Sequence, residues 1–298
     1  MENGAERSLG DLRATIVIPS FNRPERLRGC LEALMADPDR TFEIIVVDDG
    51  SAVPLAAVCE PFGPRVRCLR QDNRGPAAAR NAGAMAARAP ILLFTDDDCR
   101  PRSGWVAAML AAQAGEDARM VGGAVVNLLE DNAFAAASQS LCDFLYDWFD
   151  ADAGEMPFFT SNNIACNRAR FLAIGGFDET FPLAAAEDRD LGLRWRAAGG
   201  TLVYAPGAVV GHAHALTLRG FLRQHSNYGR GARHLHQVMT DRGDRRPRLE
   251  QLRFYGDLMR YPLTRPGRRR HLQSFLLLLS QAAMVSGYVR RSREGPTI

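Results

Sequence analysis

Three carboxylates in a row, Asp96-Asp97-Asp98, end an apolar run at residues 91–95 (ILLFT). Adjacent acids repel one another and hold their protons more tightly unless a cation or hydrogen-bond donors offset the charge. A divalent ion is the simplest offset, because manganese and magnesium take oxygen ligands and bridge carboxylates to phosphates. A solvated acidic loop is the plain alternative. A second pair, Asp48-Asp49, follows residues 43–47 (EIIVV) and precedes Gly50-Ser51. Taken alone, that string is also a turn signature. Glu187-Asp188-Arg189-Asp190 opens a helical pattern. Acids there suit the helix dipole, and one of them could equally take a proton from a hydroxyl. Arg80, within residues 74–83 (RGPAAARNAG), shares a helical face with Asn73 and Ala77. Its guanidinium fork suits phosphate oxygens, or else a salt bridge within the fold.

These groups need elements to position them. Residues 14–19 (ATIVIP) read as a buried strand ended by proline. Leu27, Leu31, Leu34 and Met35 then recur at helical spacing, with Pro24 suited to the first turn. Strands are expected at 43–47, 66–70, 91–95 and 120–127, helices at 75–89 and 103–114, and a weaker helix near 52–61. This alternation predicts an α/β domain with a largely parallel sheet, whose ligand site lies past the carboxyl ends of the strands. Two of those strands end in acids, so both clusters are expected at one crevice. Further on, the pattern predicts a helix at 133–149, an extended segment at 158–166 and a turn at Gly175-Gly176-Phe177-Asp178. A helix at 188–198 stops at Gly199-Gly200, and one or two strands fall within 201–210.

Composition narrows the class. The chain has 298 residues, 46% hydrophobic and 24% charged, which excludes a disordered chain, a collagen and a disulfide-stapled miniature. All 37 basic residues are arginine. From Arg219 onward there are 17 arginines against five acids, while the first 218 residues hold 20 arginines and 29 acids. An acidic body therefore carries a basic tail, which suits an anionic partner or a set of solvated helix faces. The six cysteines form no C-x-x-C pair, arguing against a zinc knuckle and for a reducing compartment. Residues 1–12 carry three acids and no apolar core, unlike a signal peptide. No stretch reaches the roughly 18–20 unbroken apolar residues of a spanning helix. The nearest, 272–289, is interrupted by glutamines and serines.

Each signal is ordinary by itself; their order is not. Ile18-Pro19-Ser20-Phe21-Asn22, Val46-Val47-Asp48-Asp49-Gly50-Ser51, Ala79-Arg80-Asn81-Ala82-Gly83, Asp96-Asp97-Asp98, Gly175-Gly176-Phe177-Asp178-Glu179 and Glu187-Asp188-Arg189-Asp190-Leu191 occur in that order. The set resembles the family 2 glycosyltransferases, inverting enzymes of the GT-A fold, across about residues 14–212. The resemblance implies a Rossmann-like, mostly parallel sheet flanked by helices in a catalytic domain at 13–215. A flexible N-terminus, 1–12, would precede it, and a basic, mostly helical extension, 216–298, would follow.

It also implies roles. Pro19, Phe21 and Asn22 would meet the nucleotide of a UDP-, GDP- or dTDP-sugar, and Asp49 would accept the base's ring N–H. Arg80 would approach the diphosphate or the base, and Asp96 and Asp97 the sugar nucleotide. Asp98, with Asp96, would bind manganese or magnesium, His212 being a further ligand or a packing residue. Asp188, beside Glu187, would be the general base. Asn162, Asn163 and Trp148 would face the acceptor, or else cap a turn and fill a core. The acceptor would be a carbohydrate, a lipid-linked sugar or a small molecule, and the setting cell-envelope polysaccharide, glycolipid or related glycoconjugate synthesis in the cytoplasm.

Residues 272–289 lie between Arg268-Arg269-Arg270 and Arg290-Arg291. That layout suits an interfacial helix on the inner face of an anionic membrane, or a helix packed on its own domain or a partner. Rival readings are a catalytically silent nucleotide-sugar binder, which would lack the base carboxylate, and a nucleotidyltransferase, which would want a glycine-rich basic loop. The G-x-G-x-x-G of a dinucleotide site is absent after the first strand. Nothing in the tail resembles a base-reading motif, so no nucleic acid is expected.

Overall fold

The computed structural model describes residues 12–153, 156–181, 183–244, 250–266 and 268–290. Nearly all of the flexible N-terminus expected from the sequence lies outside them. β1 (Ala14–Ser20) and β2 (Phe42–Asp49) are buried along their whole length, as apolar runs are when both faces of a sheet are covered. α1 (Pro24–Met35) connects them and buries Leu27, Cys30, Leu31 and Leu34. The weak helix expected near 52–61 is a single turn, α2 (Ala56–Cys59), followed by a 3-10 segment containing Pro61 and Pro64. β3 (Val66–Gln71), α3 (Pro76–Ala86) and β4 (Ile91–Phe94) complete the first half. The alanines of α3 let it lie close on the sheet. A Cβ on Gly83 would stand 2.4 Å from Val17 Cγ1, so only glycine fits at the closest approach.

The chain continues through β5 (Cys99–Pro101), α4 (Trp105–Gln113), β6 (Arg119–Asn127), α5 (Ala133–Ala153), β7 (Ile164–Asn167), α6 (Arg168–Ala173), α7 (Glu187–Ala197) and β8 (Thr201–His212). The eight strands form one sheet in the order β3-β2-β1-β4-β7-β6-β8-β5. β1 runs parallel to β2 and β4, and β2 to β3. β7 is antiparallel to β4 and β6, and β5 to β8. The parallel half is the Rossmann-like part. Because β2 and β4 flank β1 in the same direction, the acids after both strands leave the sheet at one edge.

The segment expected to be extended at 158–166 is strand only at Ile164–Asn167. Before it the chain turns, with Asn163 N–H donating to Thr160 O at 3.1 Å. Phe158 and Phe159 mimic a strand in sequence, but they are core anchors of this turn and both are buried.

Two compact units emerge, and they are interleaved in sequence. Met1–Val126, Met156–Glu179 and Leu191–His212 make the first, which holds the sheet. Asn127–Glu155, Thr180–Asp190 and Ala213–Ile298 make the second. The second contains α5, α8 (Leu218–Asp241), α9 (Leu252–Thr264) and α10 (Arg270–Val289). Its core is aromatic: Phe144 lies 5.0 Å from Phe254, 5.5 Å from Tyr261 and 5.6 Å from Trp148 between ring centroids. Among the described residues one helix, α10, is long and apolar enough by length and composition to cross a membrane.

Candidate active site

The edge where β1, β2 and β4 end gathers most of the predicted groups. Pro19 is buried within β1, and Phe21 just beyond it is 43% exposed. Asn22 takes a left-handed backbone, φ 55°. Its Oδ1 accepts from Ala52 N–H at 2.8 Å and its own N–H donates to Ser51 Oγ at 2.9 Å. The loop after β1 is thereby tied to the loop after β2. Asp48 is buried and caps that second loop, accepting from Ser51 N–H (2.9 Å), Leu55 N–H (3.1 Å) and Arg70 (2.7 Å). Burial opposes its charge, but these donors prevail and hold its pKa below the usual carboxylate range. Asp49 accepts from Gln71 Nε2 (2.8 Å), Arg74 N–H (3.0 Å) and Gly75 N–H (2.9 Å). A carboxylate offers about four acceptor positions, so this one organises the entry to α3 and keeps capacity for one more donor.

The aspartate triplet divides three ways. Asp96 pairs with Arg80 at 2.7 Å, and Arg80 is itself buried over the Phe177 ring, 5.4 Å from its centroid. Asp97 is buried and accepts from Ser20 Oγ at 2.8 Å and Arg23 at 3.3 Å. Burial, with Asp98 and Asp96 adding to it, pushes Asp97 up to about 6 against the pull of Arg23 and Ser20. Asp98 meets Arg26 at 2.9 Å and His212 Nε2 at 3.2 Å. The last contact follows from register, since β5 pairs with β8 so that Cys99 faces His212. Burial works against a charged His212, yet Asp98 and Asp96 outweigh it and raise its pKa. A carboxylate and an imidazole that converge in this way form a donor set suited to a divalent cation.

Sequence reasoning missed the cations that face this triplet. Arg23 immediately precedes α1 and Arg26 stands in its opening turn, where the helix dipole disfavours positive charge. Two arginines at that place were the available signal, because they need a compensating acid. Also missed was a clasp between two of the motifs. Asn81 Nδ2 donates to Phe177 O (2.9 Å) and Glu179 Oε1 (3.0 Å), and Phe177 N–H donates to Asn81 Oδ1 (2.9 Å). Gly176, at φ 65°, passes so close that an added Cβ would lie 2.5 Å from Asn81 Oδ1.

Asn162 is buried in the turn before β7. Asn163 is fully buried, accepting from Trp105 Nε1 (2.8 Å) and donating to Ala124 O (2.8 Å) and Ala208 O (3.0 Å). All three of these bonds lie within the fold, so the side chain serves the turn. Trp148 packs in the aromatic core of the second unit, with Arg253 5.9 Å above its ring.

Glu187 and Asp188 belong to the second unit, in the first turn of α7. Glu187 is buried and Asp188 half-buried. Ala186, immediately before them, has φ 72°, a strained conformation for a residue with a Cβ and one that concentrates at functional sites. In the same unit, burial, together with Cys142, Asp188 and Glu187, pushes the Tyr228 phenol well above its ordinary range. Tyr228 thus keeps its proton beside the acidic pair. Asp190, fully buried, pairs with Arg242.

The sequence matches Glycosyl transferase family 2 over residues 15–174 and Glycosyl transferase family group 2 over residues 95–291. A pre-mycofactocin glycosyltransferase of Mycobacterium tuberculosis is 34% identical over 230 residues, 73% of this chain and 46% of that protein. The chain spans about half the length of the curated relatives it matches. Among solved structures, a mannosyltransferase of Pyrobaculum calidifontis in complex with GDP-Man and Mn2+ superposes with a TM-score of 0.60 at 17% identity. The match covers 91% of this chain and 73% of that one. GalNAc-T7 with UDP, GalNAc and Mn2+ gives 0.57 at 17% identity, covering 83% and 54% of the two chains.

Proposed function

The chain belongs to glycosyl transferase family 2 and has the GT-A-type fold, and from that premise we propose that it moves a sugar from a nucleotide-sugar donor to an acceptor hydroxyl with inversion at the anomeric carbon. The observation that carries the reading is the shared edge of β1, β2 and β4, where Asp49, Arg80, Asp96 and Asp98 are each held in place by named partners. In this proposal Phe21 and Pro19 frame the base of a UDP-, GDP- or dTDP-sugar, Asn22 shapes their loop, and Asp49 accepts the ring N–H with its remaining lone pair. Arg80 and Asp96 orient the diphosphate and sugar, while Asp97 anchors Ser20 and Arg23. Asp98 and His212 would hold manganese or magnesium, with His214, two residues along, as a further donor. The bound ion would supply positive charge to the departing diphosphate. Mn2+ accompanies the nucleotide or nucleotide sugar in both solved relatives, which supports this choice.

Asp188, with Glu187 beside it, takes the proton from the acceptor hydroxyl as that oxygen attacks the anomeric carbon opposite the leaving group. The catalytic part is proposed to run over 13–215, with 216–298 as a basic extension. The acceptor is a carbohydrate, lipid-linked or small-molecule hydroxyl in envelope polysaccharide, glycolipid or related synthesis, in the cytoplasm. The bare apolar side chains Phe275, Leu278, Val285 and Val289 on α10 support peripheral contact with an anionic membrane at its inner face. A panel of nucleotide sugars with Mn2+, read by thermal shift and by release of nucleoside diphosphate, tests the assignment. One donor is expected to stabilise the protein and turn over. Asp188→Asn is expected to bind that donor normally and lose at least about 100-fold in transfer. Transfer at near-normal rate by Asp188→Asn refutes the base, and no response to any donor refutes the function.

A further inference from the structure

The second unit carries a groove that the transfer chemistry does not use. α8 and α10 touch backbone to backbone. A Cβ on Gly229 would lie 1.9 Å from Met284 O, and one on Gly287 1.9 Å from Ser226 O. Beside this contact runs a groove of about 720 Å3. α8 supplies Arg219, Arg223 and Arg230 to its wall, all exposed and spaced to fall on one helical face. α10 supplies Leu279 and, at its end, Arg290; Leu222 lies on the α8 side. Among the described residues no acid lines the groove, and no ion pair engages Arg219, Arg223 or Arg230.

The neighbouring surface is apolar. α10 buries Leu276, Leu277, Ser280 and Gly287. On its opposite side Phe275 is 55%, Leu278 57%, Val285 63% and Val289 71% exposed. A cationic cleft next to a bare aliphatic ridge is complementary to a molecule with an anionic head and an apolar chain. Guanidinium forks match phosphate oxygens in particular. A zwitterionic headgroup would bring its own cation against these arginines, so the head must carry net negative charge.

We propose that the α8–α10 groove seats the phosphate of an anionic phospholipid in a bilayer, its oxygens held by Arg219, Arg223 and Arg230 and its acyl chain passing Leu222 and Leu279 toward the ridge of α10. The proposal rests on the membrane contact put forward above and adds its chemistry and its place. A basic residue near an anionic surface is worth about a fivefold factor in partition, so three together are worth about 100-fold.

The test is co-sedimentation of the full chain with vesicles of phosphatidylcholine alone or containing phosphatidylglycerol. The wild-type protein is expected to bind only the anionic vesicles. Arg219→Gln/Arg223→Gln/Arg230→Gln is expected to lose about 100-fold in partition with an unchanged melting temperature. A variant of equal charge, Arg253→Gln/Arg260→Gln/Arg265→Gln, lies outside the groove and is expected to lose less than tenfold. If the wild-type protein binds neither vesicle, the membrane reading itself falls. If it binds anionic vesicles and the two triple variants behave alike, membrane contact stands and the groove is not its seat.

Discussion

His225 gives a test of the helical unit that can be worked through in numbers. It lies on α8, fully buried, with Ser138 Oγ 3.1 Å from Nε2 and the Phe221 ring 4.3 Å away between centroids. Burial pushes its pKa from the ordinary 6.5 down to about 4. Between those values the unfolded chain takes up a proton that the native protein refuses, so stability falls as pH falls. The stabilising effect is complete above about pH 6.5 and is lost progressively toward pH 4. At about 1.4 kcal/mol per pH unit, going from pH 7 to pH 5 removes about 2 kcal/mol. Asp97 and Asp143, both pushed up to about 6 chiefly by burial, act in the opposite sense because their native forms bind protons first. A wild-type melt at two pH values therefore mixes these effects. The difference between wild type and His225→Gln isolates the histidine, since both aspartates are common to the two proteins and glutamine still reaches Ser138. Relative to wild type, the variant is expected to gain about 2 kcal/mol between pH 7 and pH 5, or about 4–8 °C in Tm. Parallel pH responses of the two proteins would refute the claim that this imidazole is held neutral by its surroundings.

Two substitutions test the frame of the site. Gly83→Ala places a methyl group 2.4 Å from Val17 Cγ1; thermal melts are expected to show a loss of about 1–3 kcal/mol as α3 lifts from the sheet. Asn81→Ala strands the buried N–H and C=O of Phe177 and is expected to cost about 2–4 kcal/mol. A Tm within a degree of wild type would show that this clasp is not what fixes the Gly-Gly-Phe-Asp turn.

What could be read from the chain, and what could not, follows the range of the interactions concerned. β1, β2 and β4 announce themselves as short apolar runs, and Asp49 and Asp96 follow simply from being next along the chain. Even the placement of both acid clusters at one edge needs only the parallel order of neighbouring strands. The triplet's division of labour was not legible. It depends on Ser20 at the end of β1, on Arg23 and Arg26 in the loop and helix that follow, and on His212 from a strand over a hundred residues away. The strand that brings His212 in is paired with β5, only three residues long and without a periodic signature. The misread segment at 158–166 has the same origin. Its apolar residues look like a strand, whereas the turn there depends on Asn163 finding partners on three other segments.

Those distant partners make the three adjacent acids chemically unlike one another. Asp97 is buried, its two donors, Ser20 and Arg23, come from the end of β1 and the residue before α1, and burial raises its pKa to about 6. Asp96 is balanced by a buried guanidinium, and Asp98 by a helix-start guanidinium and an imidazole. The two outer carboxylates thus face different partners. The middle aspartate is set apart by its donors, Ser20 and Arg23, a placement its side-chain type alone does not disclose.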